Sequence, residues 1–171
     1  MNSNQLNENE YNPYYKFYIE ALGEVNLIEA LTASFEELMQ IIRDLPEEKL
    51  IFQYDEGKWT IKELLQHLID TERIMSYRAL RFSRNDATEL QGFDENWYVD
   101  NSNGNDRNIN DLLEEFKCAR RASISLFKSF TDEMLANFGT ANGSNMTVRA
   151  LGFIITGHQI HHLNIIKERY L

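Results

Sequence analysis

The sequence has few residues that interrupt a helix and none that cross-link the chain. Its 171 residues include two prolines, Pro13 and Pro46, so long stretches carry no helix-breaking residue. A single cysteine, Cys118, excludes an intramolecular disulfide and favours a reducing, cytoplasmic location. Because Cys118 lies inside a helical pattern, we expect it to be a small buried apolar residue, with a reactive thiol as the alternative.

The chain also lacks a basic excess and a long apolar run. It carries 27 acidic against 17 basic side chains, a net charge of −10. Nucleic acids and anionic membranes both attract basic surfaces, so we expect neither as a partner. The longest nearly uninterrupted apolar stretch, from Ala150 to Thr156, is far below the roughly 20 residues that span a bilayer. The first residues lack a basic segment followed by an apolar one, so we expect no signal peptide.

Four long helical patterns dominate the sequence. Apolar residues spaced by three and four predict helices over about residues 24–44, 60–83, 110–130 and 147–171. The second opens on a capping box, in which Thr60 and Glu63 each satisfy a free backbone N–H group. A polar stretch from Asn85 to Asn108 follows it, and long ordered connections are often functional. The sequence therefore predicts an all-α fold, a four-helix bundle with a long connection between helices 2 and 3.

The remaining segments carry weaker signals. Residues 1–12 are rich in Asn, Glu and Gln and predict a loose arm, and the aromatic cluster from Tyr11 to Tyr18 should pack against the body. No alternating apolar pattern indicates a strand, and residues 139–145, GTANGSN, read as a simple break. We therefore divide the chain into an N-terminal arm, residues 1–23, packing on the body, and a four-helix-bundle domain, residues 24–171.

All four histidines lie at the centres of apolar helical patterns. His67 is in the second helix, and His158, His161 and His162 are in the fourth. Residues three or four apart share a helix face, so either His161 or His162 can pair with His158. Facing helices in a bundle lie about 8–10 Å apart, so imidazoles from both can meet. Three neutral imidazoles that leave a position free form a catalytic type of metal site, suited to Zn²⁺, Ni²⁺ or Fe²⁺.

Two better-known metal sites are a poor match. The run from His158 to His162 has the outline of the H-E-x-x-H protease motif, but Gln159 stands in place of the catalytic glutamate. An amide cannot act as a general base. No glutamate lies three residues before any histidine, which disfavours a di-iron carboxylate bundle.

The chain resembles the DinB/YfiT-like family of metal-dependent enzymes in two segments, GKWTIKELLQHLIDTERIMSYRALRFSR and TVRALGFIITGHQIHHLNIIKERYL. FDENWYV and LLEEFKCARRASISLFKSF are similar too, so the resemblance covers about residues 24–171. It implies a bundle of non-simple topology with a metal held by His67, His158 and His162. His161 then becomes a neighbour of the ligands. The family often has glutamate where this chain has Gln159, a departure that leaves the ligands intact.

The resemblance also implies an activity. A metal with a free position lowers the pKa of a thiol or of water. We expect first a transferase that uses a low-molecular-weight, bacillithiol-like thiol, with zinc favoured. The alternatives are a metal-dependent hydrolase of a small molecule and a non-catalytic metal- or ligand-binding stress-response protein. The expected partners are a small-molecule substrate and a second copy of the chain, as a homodimer.

Several residues have both a functional and a structural interpretation. Asp70 and Glu63 lie within one turn of His67, where either can accept an imidazole N–H, although the capping box also explains Glu63. Trp97 and Tyr98 either line the mouth of the pocket or simply pack. A final group of arginines either binds an anionic thiol or forms surface salt bridges: Arg120, Arg121 and Arg169.

Overall fold

A computed structural model describes all residues, 1–171, and shows a mainly helical chain. Its elements are α1 (Lys16–Glu20), α2 (Leu27–Arg43), α3 (Glu47–Leu50), α4 (Ile61–Ser83), α5 (Glu95–Asp100), α6 (Ile109–Lys128), α7 (Asp132–Ala136), β1 (Phe138–Ala141), β2 (Ser144–Thr147) and α8 (Val148–Arg169). The long helices α2, α4, α6 and α8 form the predicted four-helix bundle, which is thereby confirmed. None of the helices is long and apolar enough to cross a membrane.

Each long helix begins at a polar side chain that caps its free N–H groups. The capping residues are Asn26, Thr60, Asn108 and Thr147. The capping box of α4 is confirmed: Thr60 Oγ1 accepts from the Glu63 N–H at 3.1 Å, and Glu63 Oε2 accepts from the Thr60 N–H at 2.8 Å. Glu63 is therefore occupied at the start of α4 and makes no hydrogen bond to an imidazole.

The long connection between α4 and α6 is ordered and contains α5. Leu90 bridges to Ala141 of the hairpin, and a short 3₁₀ turn, Gly104–Asp106, follows α5. A Cβ at Gly104 would lie 3.3 Å from the carbonyl oxygen of Lys62, so this turn packs closely on α4. The connection also reaches Arg78 farther along α4, because the Gln91 carbonyl accepts from Arg78 Nη2 at 3.0 Å.

The β1–β2 hairpin was not expected from the sequence. Asn142 and Gly143 both adopt positive φ, 51° and 68°, between the paired residues Ala141 and Ser144. Two successive residues with positive φ make a type I′ turn, for which Asn-Gly is the preferred pair. The Asn-Gly pair is the signal in the sequence that could have predicted the hairpin, because strands of four residues are too short to show an alternating pattern.

A buried polar network links the four long helices at mid-height. Arg120, 1% exposed, donates to both carboxylate oxygens of Glu72 at 2.8 and 2.9 Å and to the carbonyl of Leu31 at 2.6 Å. Gln159 Nε2 donates to the carbonyl of Ser34 at 2.5 Å. Both interpretations of Arg120 are therefore wrong, because Glu72 neutralises it inside the core.

Two other expectations differ from the structure. Cys118 is exposed, because it lies on the outward face of α6 with its Sγ 4.0 Å from Glu114 Oε1. The first residues are anchored instead of loose: Glu10, 3% exposed, accepts from Thr147 Oγ1 at 2.9 Å and Arg149 Nε at 2.6 Å. The division into residues 1–23 and 24–171 stays a prediction.

Candidate metal centre

Three imidazoles from two helices meet between α4 and α8. The Nε2 atom of His158 lies 3.0 Å from Nε2 of His67 and 3.0 Å from Nε2 of His162. His158 and His162 are one helical turn apart on α8, and His67 faces them from the second turn of α4. The ligand atoms of the three side chains all lie within 4.8 Å of one another. One ion can therefore contact all three.

The environment keeps these imidazoles neutral. His67 and His158 are buried and His162 is half-buried. Burial lowers the pKa of His67 to about 4. Burial also lowers the pKa values of His158 and His162 well below the ordinary value, and their closeness to the other histidines lowers them further. Neutral imidazole is the form that binds a metal ion.

The proton positions show that the donor set fits a cation. A neutral imidazole nitrogen carries either a proton or a lone pair, so Nε2 of His158 cannot donate to one neighbour and accept from the other. Nδ1 of His162 is buried and has no hydrogen-bond partner, which leaves the Nε2 side as the polar contact of that ring. An ion facing three lone pairs removes this conflict. Three nitrogen donors with a free position are typical of catalytic zinc sites.

Aromatic residues hold the imidazoles in place. The Trp59 ring lies 4.7 Å from that of His67, between centroids, and the Tyr18 ring lies 5.5 Å from that of His158. The arm reaches His158 because residue 157 is glycine: a Cβ there would lie 2.2 Å from the Tyr18 carbonyl oxygen. Trp59 and Tyr18 are site residues that sequence reasoning missed, although Trp59 directly precedes the cap of α4.

A cavity of about 220 Å³ opens beside His162. Its walls are mostly apolar or aromatic, with Lys58 as the charged group. The lining residues are Tyr54, Gly57, Lys58, Trp59, Leu64, Asn96, His162, Ile165 and Tyr170. A small molecule in this cavity would lie next to His162, the one histidine of the trio in its lining.

The other candidate residues lie outside the trio. His161 packs its ring edge-on against Phe17 at 5.3 Å and Tyr18 at 5.4 Å, between centroids. Asp70 accepts a hydrogen bond from Gln66 at 2.9 Å instead of one from His67. Trp97 and Tyr98 line a separate surface cavity that also includes Asp70. Gln159 points to Ser34 on α2, away from the histidines.

A comparison with models of known protein families finds a match over most of the chain. The sequence model of the DinB superfamily matches residues 30–166. The chain belongs to the DinB superfamily. The three histidines that converge in this DinB-superfamily protein are the three that the resemblance implies as ligands. A comparison with curated protein sequences finds no match.

The fold of this DinB-superfamily protein is similar to that of a solved structure, YfiT from Bacillus subtilis. The two share 18% sequence identity with a TM-score of 0.75, over 83% of this chain and 82% of the other. YfiT is described as a probable metal-dependent hydrolase with an unusual four-helix bundle topology. At this level of identity the likeness establishes the fold.

Proposed function

We propose that this protein is a metal-dependent enzyme that joins a low-molecular-weight thiol to a small electrophile. The observation that carries the proposal is the convergence of three Nε2 atoms, from His67, His158 and His162, beside an open cavity. A divalent ion bound there, zinc in the first place, supplies a Lewis acid that lowers the pKa of a thiol or of water.

The residues around the trio have roles of their own in this proposal. Trp59 and Tyr18 restrict the orientations of His67 and His158, because their rings contact the imidazoles. The apolar wall that includes Leu64 and Ile165 limits water beside His162. A cavity of this composition suits a small molecule that carries an apolar electrophilic group.

The lining of the cavity favours a thiol over water as the nucleophile. None of its residues is a carboxylate, and Gln159, at the position of the protease glutamate, is bonded to Ser34. Activation of water usually also requires a general base within hydrogen-bond reach. A thiol, with a pKa of about 8.5, loses its proton far more readily.

Hydrolysis of a small molecule is the second candidate. The description of the Bacillus subtilis neighbour as a probable metal-dependent hydrolase favours it. The reaction would need a proton acceptor from the substrate or from solvent, since the cavity offers no carboxylate. We further propose that the protein acts in the cytoplasm as a homodimer on small molecules, without nucleic acid or membrane.

The test supplies a thiol and an electrophile to the zinc-loaded protein. Monochlorobimane is offered with bacillithiol or cysteine: the C–S bond forms, the C–Cl bond breaks, chloride leaves and the thiol proton passes to the buffer. We expect thiol-dependent fluorescence that His67→Ala abolishes. Turnover of para-nitrophenyl acetate without thiol would instead support hydrolysis. If the metal-loaded protein is inactive in both assays with a wide panel of thiols, electrophiles and esters, the enzymatic proposal is contradicted.

A further inference from the structure

Arg78 is the one buried lysine or arginine side chain of this protein that has no carboxylate partner. Three lysine or arginine side chains are buried: Lys62 is 4%, Arg78 3% and Arg120 1% exposed. Lys62 pairs with Glu47 at 2.5 Å and Arg120 pairs with Glu72 at 2.8 Å. Arg78 forms no ion pair. An unpaired buried charge is costly, so its retention calls for an anion from outside the chain.

The guanidinium of Arg78 keeps free hydrogen-bond donors. Its Nη2 donates to the carbonyl of Gln91 at 3.0 Å, and its Nη1 contacts the sulfur of Met75 at 3.6 Å. The Tyr15 hydroxyl, which lines the same cavity, also lies within hydrogen-bond reach of the guanidinium. A guanidinium has five N–H groups, so it keeps donors that have no strong acceptor in the protein. Burial lowers the pKa of Arg78, as expected for a cation without a counter-charge.

These donors face a cavity of about 340 Å³. The arm, α4, α5 and the hairpin turn each contribute to its walls. Its polar lining includes Asn12, Asn96, Asn142 and Ser144. One acidic residue, Glu95, also lines the cavity, but its side chain is exposed and makes no ion pair with Arg78.

The Arg78 cavity shares one lining residue with the cavity beside His162. Asn96 lines both this cavity and the one beside His162. Arg78 follows His67 by 11 residues on α4, which places it about 16 Å farther along the axis and within about 20° of the same face. Thr71 lies between them on that face, buried, with a hydroxyl that has no hydrogen-bond partner. The histidines and the guanidinium thus lie along one face of α4, with the unpartnered Thr71 hydroxyl between them.

We propose that Arg78 binds a carboxylate of the substrate or the thiol cosubstrate, while the reactive end of that molecule lies at the three histidines. The placement of the reactive end at the histidines rests on the proposed function, whereas carboxylate binding by Arg78 does not. The planar fork of a guanidinium matches the two oxygens of a carboxylate. Glu95 in the same cavity repels a doubly charged phosphate group more strongly than a singly charged carboxylate, because the repulsion grows with the charge of the ligand.

The carboxylate site is tested on metal-free protein with glutarate as the probe and its uncharged diamide, glutaramide, as the matched ligand. Binding is followed through the side-chain Nε–H resonance of Arg78 and through the melting temperature. We expect saturable binding of glutarate, none of glutaramide, and at least tenfold weaker binding in Arg78→Met. Arg78→Lys, which keeps the charge but not the fork, should fall in between. Arg121→Met removes an exposed positive charge and should bind glutarate like the wild type.

Two results would overturn the proposal: glutarate that binds Arg78→Met or Arg78→Lys as tightly as the wild type, or inorganic phosphate that binds more tightly than glutarate. If Arg78→Met does not fold, the wild-type Arg78 resonance and Arg78→Lys still decide. Because no metal is present, the failure of this site is distinguishable from the failure of the metal chemistry. Glutarate should still bind to His67→Ala, even where that variant is inactive.

Discussion

His158 lies between two other imidazoles, and its single Nε2 atom faces both of them at 3.0 Å. Neither possible tautomer gives it two good hydrogen bonds. The residue is therefore poorly satisfied as a core histidine and well placed as a ligand. That distinction depends on which nitrogen atoms face one another, which helical spacing alone does not specify.

Alanine substitution should separate the trio from the fourth histidine. In His67→Ala, His158→Ala and His162→Ala we expect zinc affinity to fall by more than the roughly 10–100-fold typical of outer-sphere partners, because each removes a donor nitrogen. His161→Ala should keep its metal, since that ring packs on Phe17 and Tyr18. Elemental analysis of the four purified variants measures this. Full metal content in His158→Ala would show that the ligand set is wrong.

For single residues, the sequence predicted the metal site only in part. Helical spacing placed His67 in the core and left His161 and His162 as alternatives, and only the resemblance favoured His162. The structure turns His162 toward His158 and His161 toward the arm. Their role as ligands stays a prediction. Arg78 could not be found from the sequence, because what sets it apart is the absence of a carboxylate nearby in space.

At the scale of helices, the pair formed by Arg120 and Glu72 joins α6 to α4 and reaches α2 through Leu31 and Ser34. Both charged groups are almost fully buried, 1% and 2% exposed as side chains. A buried pair of this kind aligns its helices more clearly than it stabilises them, because desolvation offsets most of the attraction.

Removal of one member should therefore cost more than removal of both. Arg120→Met leaves the Glu72 carboxylate buried and unpaired, which should lower the free energy of unfolding by about 3–5 kcal/mol. Glu72→Leu combined with Arg120→Met leaves no such charge and should be much less destabilised. Urea denaturation of the two variants makes the comparison. A double variant that is at least as unstable as the single one would contradict this account.

At the scale of the whole molecule, the arm is bound to the end of the bundle where α8 begins. Burial raises the pKa of Glu10, but hydrogen bonds from Arg149, Asn7 and Thr147 outweigh it and hold the pKa below its usual range. A carboxylate with a lowered pKa stabilises the fold fully above its unfolded-state pKa, about 4.3. That contribution is lost as the pH falls through the folded-state pKa.

Glu10→Gln should remove this pH-dependent contribution. We expect it to lower the free energy of unfolding by about 1–3 kcal/mol at neutral pH and to flatten the loss of stability below about pH 4.5. Thermal unfolding measured between pH 3 and pH 7 shows both effects. Glu8→Gln is the control, because Glu8 pairs with Lys16 at the surface, where side chains are 78% and 44% exposed. Parallel pH profiles for wild type and Glu10→Gln would contradict the assignment.

The sequence by itself determined the four long helices, the capping box that opens α4 and the placement of all histidines within α4 and α8. These features depend on residues within a turn or two of one another, so their pattern is visible along the chain. Only the tertiary structure decided that Cys118 faces outward, that Arg120 pairs with Glu72, that Tyr18 covers His158 and that Arg78 has no carboxylate partner. Each depends on groups brought together from distant positions, and helical periodicity specifies a face of a helix without specifying which side chains it meets.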